Sequence, residues 1–242
     1  MATTTQSWTE TNSSDSISTT SARRRWFDLS VVLLVAFFPF VIKSAYLLFH
    51  PALLKYTNAR IIGALVWECI SLSFFSRLFS RQKRSLRSLG FVFRWTDLPK
   101  ALGLALGSFA VLWLATYIIS FGWFLITLKN VQFRDTRFLF SGVSLWMLLP
   151  FLFLNPFFEE ILVRGYLTTE LSELRGSVFL ATLASLALQT TYHLYYGLFG
   201  ALVVGSGLSV FAVYYAKSRR LMPVILAHLL WDLTALLSAW HR

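Results

Sequence analysis

Long apolar runs separated by short polar and basic segments make up most of the chain beyond residue 27. A helix crossing about 30 Å of hydrocarbon needs about 20 mainly apolar residues. Seven stretches meet that requirement, near residues 28–49, 61–79, 101–128, 138–158, 177–196, 198–216 and 222–240. They lack the alternation of apolar and polar positions typical of a lipid-facing barrel strand, so helices are expected. The predicted fold is all-α, a polytopic transmembrane helix bundle of about seven spans. The third stretch is long enough to tilt or to run past the interface. Ahead of the first span, residues 3–21 hold thirteen Ser and Thr with almost no large apolar side chain. Such a stretch buries too little surface to offset the entropy of ordering, and residues 1–24 are expected to be a disordered tail. Its length, with Glu10 and Asp15, does not fit a cleavable secretory signal. The first span is therefore expected to stay as an uncleaved anchor.

Composition agrees with the pattern. Hydrophobic residues make up 56%, aromatics 17% and charged residues 14%, against about 45–50% apolar and about 25% charged in an ordinary soluble domain. The net charge of +11 would suggest nucleic acid in a soluble protein. Here the cations lie between apolar runs, so the expected counterpart is the lipid bilayer and not nucleic acid. Cytoplasmic loops are enriched in Lys and Arg. With the N-terminus inside, the inner segments hold fifteen cations: Arg23, Arg24, Arg25, Arg77, Arg81, Lys83, Arg84, Arg87, Arg94, Lys100, Arg164, Arg175, Lys217, Arg219 and Arg220. The outer segments hold six, Lys55, Arg60, Lys129, Arg134, Arg137 and Arg242, so a cytoplasmic N-terminus is predicted. The expected location is a bacterial inner membrane. One cysteine, Cys69, excludes a disulfide framework and a multi-cysteine metal site.

Some polar positions have structural readings. Lys43 and Glu68 lie about 22 Å and about 18 Å from the inner edge and are expected to pair as ions. A place in a solute pathway is the alternative. Gly103 and Gly107, with Gly197, Gly200, Gly205 and Gly207, suit close internal helix packing. The Arg77–Arg94 loop is explained by topology alone.

Ionisable side chains within spans are functional candidates by default. The second half of the chain offers Glu159, Glu160, His193, His228 and Asp232. Asn155 and Pro156 predict a helix start, with both carboxylates in its opening turns. Glu160 and Arg164 are four apart and are expected to pair, leaving Glu159 free to face something else. Gln189 shares a face with His193. Asp232, four residues beyond His228, is placed to hold that imidazole in one tautomer. Two carboxylates and two histidines on neighbouring helices can activate a water in a dry site. Alternatively Glu159, His193 and His228 can hold a zinc ion, with the water as fourth ligand.

These residues resemble the CPBP intramembrane proteases, the family of the CAAX prenyl proteases and bacterial Abi proteins. Its EExxxR motif is matched by Glu159-Glu160-Ile161-Leu162-Val163-Arg164, followed by the usual Gly165. The motif of His with Asn or Asp four residues on is matched by His228 and Asp232, and FxxxH only in part, since Gln189 stands where Phe is usual. The resemblance covers about residues 140–240. It implies a catalytic core over 138–242, preceded by N-terminal transmembrane helices with a basic loop over 25–137. It also implies an endopeptidase with a cavity open toward the cytosolic side, acting on a prenylated or otherwise membrane-anchored peptide. By carry-over, Glu159 with His193 activates water, while His228 and residue 232 stabilise the oxyanion. An ionised Asp232 only accepts hydrogen bonds, and so is better suited to orienting His228. A non-catalytic immunity factor or scaffold on the same fold is the rival reading, and a small transporter a third.

Overall fold

A computed structural model describes residues 22–136 and 139–240. Helix α1 spans Ala22–Phe49, α2 Asn58–Arg81 and α3 Asp97–Thr127. Helix α4, Leu145–Glu159, continues through a π-helical stretch, Glu160–Leu167, into α5, Thr168–Arg175. The remaining helices are α6, Val178–Tyr192, α7, Leu198–Ser218, and α8, Met222–Trp240. Among the described residues five helices, with Leu145–Arg175 counted as one, are long and apolar enough to cross a membrane, and two shorter apolar helices join them. The all-α bundle and its approximate span count are therefore as predicted. The expected tail lies outside the described residues up to Ser21, while Ala22, Arg23 and Arg24 already belong to α1.

One stripe of each early helix turns inward. On α1 it is Leu29, Val32, Ala36, Phe37, Ser44 and Leu47, and on α2 it is Ile61, Glu68, Ser71, Phe75 and Phe79. These spacings of three, four and seven follow the helical period. The opposite faces carry large exposed apolar side chains, such as Trp113, Leu114, Tyr117 and Ile118 on α3. That is the outward surface expected of a helix in lipid.

Close approach on α3 uses residues other than the expected glycines. A methyl at Gly103 would meet nothing within 4 Å, and one at Gly107 only Val210 at 4.0 Å. Helix α3 instead buries Ala101, Ala105 and Ser108, and the Ser108 hydroxyl donates to the Gly207 carbonyl at 2.6 Å. Gly205 and Gly207 do act as packing glycines, since a methyl there would lie 2.4 Å from Thr190 Oγ1 and 2.6 Å from the Trp231 ring, respectively.

At the end of the bundle where α1 begins, ion pairs tie the first helices to the second half. Arg25 meets Glu170 at 2.9 Å and Glu173 at 2.5 Å, Arg84 also meets Glu170, and Arg220 holds Asp97 at 2.7 Å. Gly90 closes this end with φ +77°, its carbonyl accepting from the Leu221 N–H at 3.1 Å. A methyl at Gly90 would lie 1.9 Å from the Arg219 carbonyl oxygen. Gly90→Ala is expected to cost at least about 2 kcal/mol, read as a lower unfolding temperature in detergent. Gly176→Ala is the control: φ is +65° but nothing lies within 4 Å, so only the backbone cost of about 1 kcal/mol is expected.

Candidate active site

The predicted helix start at Asn155 is not found. Helix α4 runs through Pro150 and Pro156 without a break. Pro156 brings no N–H, and the chain widens into π geometry four residues later, a local adjustment that keeps a proline-containing span continuous. Asn155 is used differently: its Nδ2 donates to Glu159 Oε1 at 3.2 Å. Every residue from Phe158 to Glu170 is buried, so the motif-bearing stretch is the centre of the bundle and not an interfacial turn.

Glu159 points into a cavity of about 120 Å³, lined among others by Phe40, Tyr56, His193, His228 and Asp232. Its Oε2 accepts from the Tyr192 hydroxyl at 2.6 Å and from Gln189 Nε2 at 3.2 Å. With Asn155 on Oε1, three donors fix the carboxylate in place. His193 follows the last residue of α6, and its Nδ1 lies 2.8 Å from the Gln189 carbonyl. That carbonyl can only accept, so Nδ1 carries the proton and Nε2 remains the working nitrogen.

His228 is oriented by a different acid from the one predicted. Its Nδ1 meets Glu160 Oε1 at 2.8 Å, whereas Nε2 stands 3.8 Å from Asp232 Oδ1, beyond hydrogen-bond range. Glu160 reaches across from the π-helical stretch, and a neighbour on the same helix does not have the better angle. The Glu160–Arg164 pair is also looser than a one-turn spacing suggests, at 3.7 Å. The π-helical stretch changes the angular offset of the two residues, and the Arg164 guanidinium is spent elsewhere. It donates to Ser185 Oγ at 3.1 Å, to the Leu208 carbonyl at 3.3 Å and to Gln189 Oε1. Gln189, in the place where Phe was expected, thus links buried Arg164 to Glu159.

The Lys43–Glu68 ion pair does not form. Lys43 Nζ sits over the Tyr56 ring, 4.6 Å from its centroid, while both Glu68 oxygens are buried without a hydrogen-bond partner among the described residues. The long lysine stem reaches toward the loop beyond α1, as amphipathic side chains do near helix ends. In the loop above, burial together with Tyr196, Glu68 and Glu159 pushes the Tyr56 phenol up, which keeps it a hydrogen-bond donor. Glu68→Met is expected to raise the unfolding temperature in detergent, because an unpartnered buried acid costs more than a thioether of similar volume. A fall would mean that a bound partner holds Glu68.

Among the described residues no three His, Cys, Asp or Glu side chains come together as a ligand set. Both histidine Nδ1 atoms are engaged, one by a carbonyl and one by Glu160, which leaves each Nε2 as the free ring nitrogen. Sequence reasoning did not find Tyr192, Tyr56 or the role of Asn155. Tyr192 had one readable signal, a polar-tipped aromatic next to His193 at the end of an apolar run.

Residues 141–234 match the family model of the type II CAAX prenyl endopeptidase Rce1-like proteins. The match covers less than half of the chain and supports a CAAX protease assignment for that segment. Comparison with curated proteins and with solved structures gives no match. The CAAX-protease segment contains Glu159, Glu160, Arg164, His193, His228 and Asp232, while α1 to α3 precede it. All six residues pack within one region: three line the cavity with Glu159, and Glu160 and Arg164 support it from behind. That similarity supports endopeptidase activity and a membrane setting at the level of the family.

Proposed function

We propose that the chain is an intramembrane endopeptidase that cuts a membrane-associated or lipid-modified peptide with a water activated by Glu159 and His193. The observation that carries this reading is the carboxylate of Glu159, held by Tyr192, Gln189 and Asn155 in a cavity that His193 and His228 also line. A fixed carboxylate and an imidazole in a water-poor site are the parts of general base catalysis. The water oxygen attacks the peptide carbonyl carbon as its proton passes to Glu159, with His193 Nε2 orienting the water. His228, when its ring carries both protons, donates from Nε2 to the developing oxyanion. Glu160 holds that ring from the other side, and Asp232 stands 3.8 Å from Nε2, beyond hydrogen-bond range. The proton on Glu159 then moves to the leaving nitrogen as the C–N bond breaks, giving a carboxylate and an amine. No step is routed through a metal.

The test compares new protein termini, by mass spectrometry, in membranes carrying the native chain and membranes carrying Glu159→Gln at matched abundance. Termini specific to the native chain are expected and would identify the substrate. Identical termini, with a phenotype that survives the substitution, would favour a scaffold. A multi-pass position in a bacterial inner membrane is the proposed location.

A further inference from the structure

Helix α1 ends without a cation of its own. Its last turn holds no basic residue, although the carbonyls there point out of the helix and carry a partial negative charge. The Leu47 carbonyl would ordinarily accept from the residue four positions on, but that residue is Pro51 and has no N–H. Arg134, in the segment between α3 and α4, takes the place of the missing donor. Its Nη1 donates to the Leu47 carbonyl at 2.9 Å and its Nη2 to the Leu48 carbonyl at 2.9 Å. The same Nη1 also donates to the Tyr195 carbonyl at 2.6 Å. One planar guanidinium thus joins the end of α1 to the turn that follows α6.

That turn carries His193. Helix α6 stops at Tyr192, a single 3₁₀ turn runs over Leu194–Tyr196, and Gly197 reverses the chain at φ +82°. A methyl at Gly197 would lie 3.9 Å from the Arg134 Cβ, so the arginine packs directly on the reversal. The Tyr195 N–H donates to Ser44 Oγ at 2.8 Å, and Ser44 is a buried residue of α1. Both backbone polar groups of Tyr195 are therefore held from outside the turn. The Tyr196 N–H closes the turn on the His193 carbonyl at 2.9 Å. The His193 and Tyr196 rings stack with planes 12° apart and centroids 5.9 Å apart, while His193 Nδ1 sits on the Gln189 carbonyl. The ring is thus oriented from two sides, by α6 before it and by this turn after it.

We infer that Arg134 is a positioning residue for peptide cleavage, clamping the turn from His193 to Gly197 onto the end of α1 so that the His193 ring keeps its place in the cavity wall. The effect on rate rests on the endopeptidase reading; the clamp does not. Arg134 does not line the cavity itself. It acts through the backbone of Tyr195, two residues beyond the histidine. A misplacement of about 1 Å at a reacting group is worth roughly a hundredfold in rate. A lysine at this position would keep a positive charge at the end of α1 but not the planar fork that reaches both segments. Arg60 serves the Leu53 and Lys55 carbonyls instead, which makes it the matched control.

Two readouts on the full chain in detergent test this. Amide hydrogen exchange of residues 194–197, followed by mass spectrometry, needs no substrate. Arg134→Gln is expected to speed that exchange by about tenfold or more as the turn opens locally, and Arg60→Gln to leave it unchanged. The second readout is steady-state cleavage of a peptide picked from a quenched fluorescent library with the native chain, with Glu159→Gln as the blank. Arg134→Gln is expected to lower kcat by about a hundredfold with KM little changed, and Arg134→Lys to fall between. Ser44→Ala, which removes the other hold on Tyr195, should move both readouts in the same direction. Gly90→Ala, destabilised at the opposite end of the bundle, shows what a general loss of stability does to kcat. Unchanged exchange in Arg134→Gln overturns the clamp. Faster exchange with a native kcat, or an equal fall of kcat in Gly90→Ala, overturns the positioning role. Faster exchange in Arg134→Gln, when the native chain cleaves no peptide of the library, supports the clamp and counts against the endopeptidase reading.

Discussion

Glu159→Gln is expected to slow peptide cleavage by about a thousandfold, or about 4 kcal/mol of barrier, while the protein accumulates normally. The amide keeps the shape of the carboxyl and one oxygen for the Tyr192 hydroxyl, which now stands 2.6 Å from Oε2. It cannot take a proton from water, and with its oxygen at the Oε2 position its NH₂ faces the amide donor of Asn155, which costs one hydrogen bond at 3.2 Å. The stability loss is expected at about 1 kcal/mol, the scale of one neutral hydrogen bond. Glu159→Asp separates the two effects. It keeps the base but withdraws it by one methylene from all three donors, and a misplacement of about 1 Å is worth roughly a hundredfold. The rate is read as release of fluorescence from a peptide substrate in membranes, and the amount of protein by immunoblot. If Glu159→Gln keeps more than a tenth of the native rate, another group is the base.

The helices were legible because apolar length is a strong and local signal. Every one of the seven stretches corresponds to a helix, and the differences are in boundaries, as at α4, which begins at Leu145 where the span was expected from residue 138. The motif residues were legible as ionisable groups in apolar surroundings. What the sequence did not carry was the pairing between helices. Asp232 looked like the partner of His228 because the two are four residues apart, yet Glu160, 68 residues away in the chain, takes Nδ1. Lys43 and Glu68 looked like an ion pair on depth alone. Depth along an axis says nothing about rotation around it, and Lys43 turns to the Tyr56 ring instead. The helix start at Asn155 failed for a related reason. Local capping rules treat Pro as a boundary, while a helix packed on several sides and shielded from water continues through it at the expense of a widened turn. Gln189 was read as a departure beside His193; only the packed bundle reveals it as the link between Arg164 and Glu159.

Arg164→Met is expected to be the most destabilising single change in the bundle, costing about 3–5 kcal/mol, because breaking a buried charged network strands the groups left behind. Arg164 is fully buried, and its guanidinium serves Ser185, Gln189 and the Leu208 carbonyl while facing Glu160 at 3.7 Å. Without it, Glu160 Oε2, which has no hydrogen bond even now, loses its nearest positive charge. Against a total stability of about 5–15 kcal/mol, a loss of that size lowers accumulation as well as the unfolding temperature in detergent. Arg164→Lys should fall between, since an ammonium cannot span Ser185 and Gln189 as a planar fork does. Glu160→Met combined with Arg164→Met should be more stable than Arg164→Met alone, because the stranded charge is removed with its partner. Gln189→Leu then tests the next link. It removes the donor to Glu159 Oε2 and is expected to lower the cleavage rate by more than its effect on the unfolding temperature explains. If Arg164→Met unfolds no earlier than Arg87→Met at the exposed basic end, the buried network is not what holds Glu159 in position.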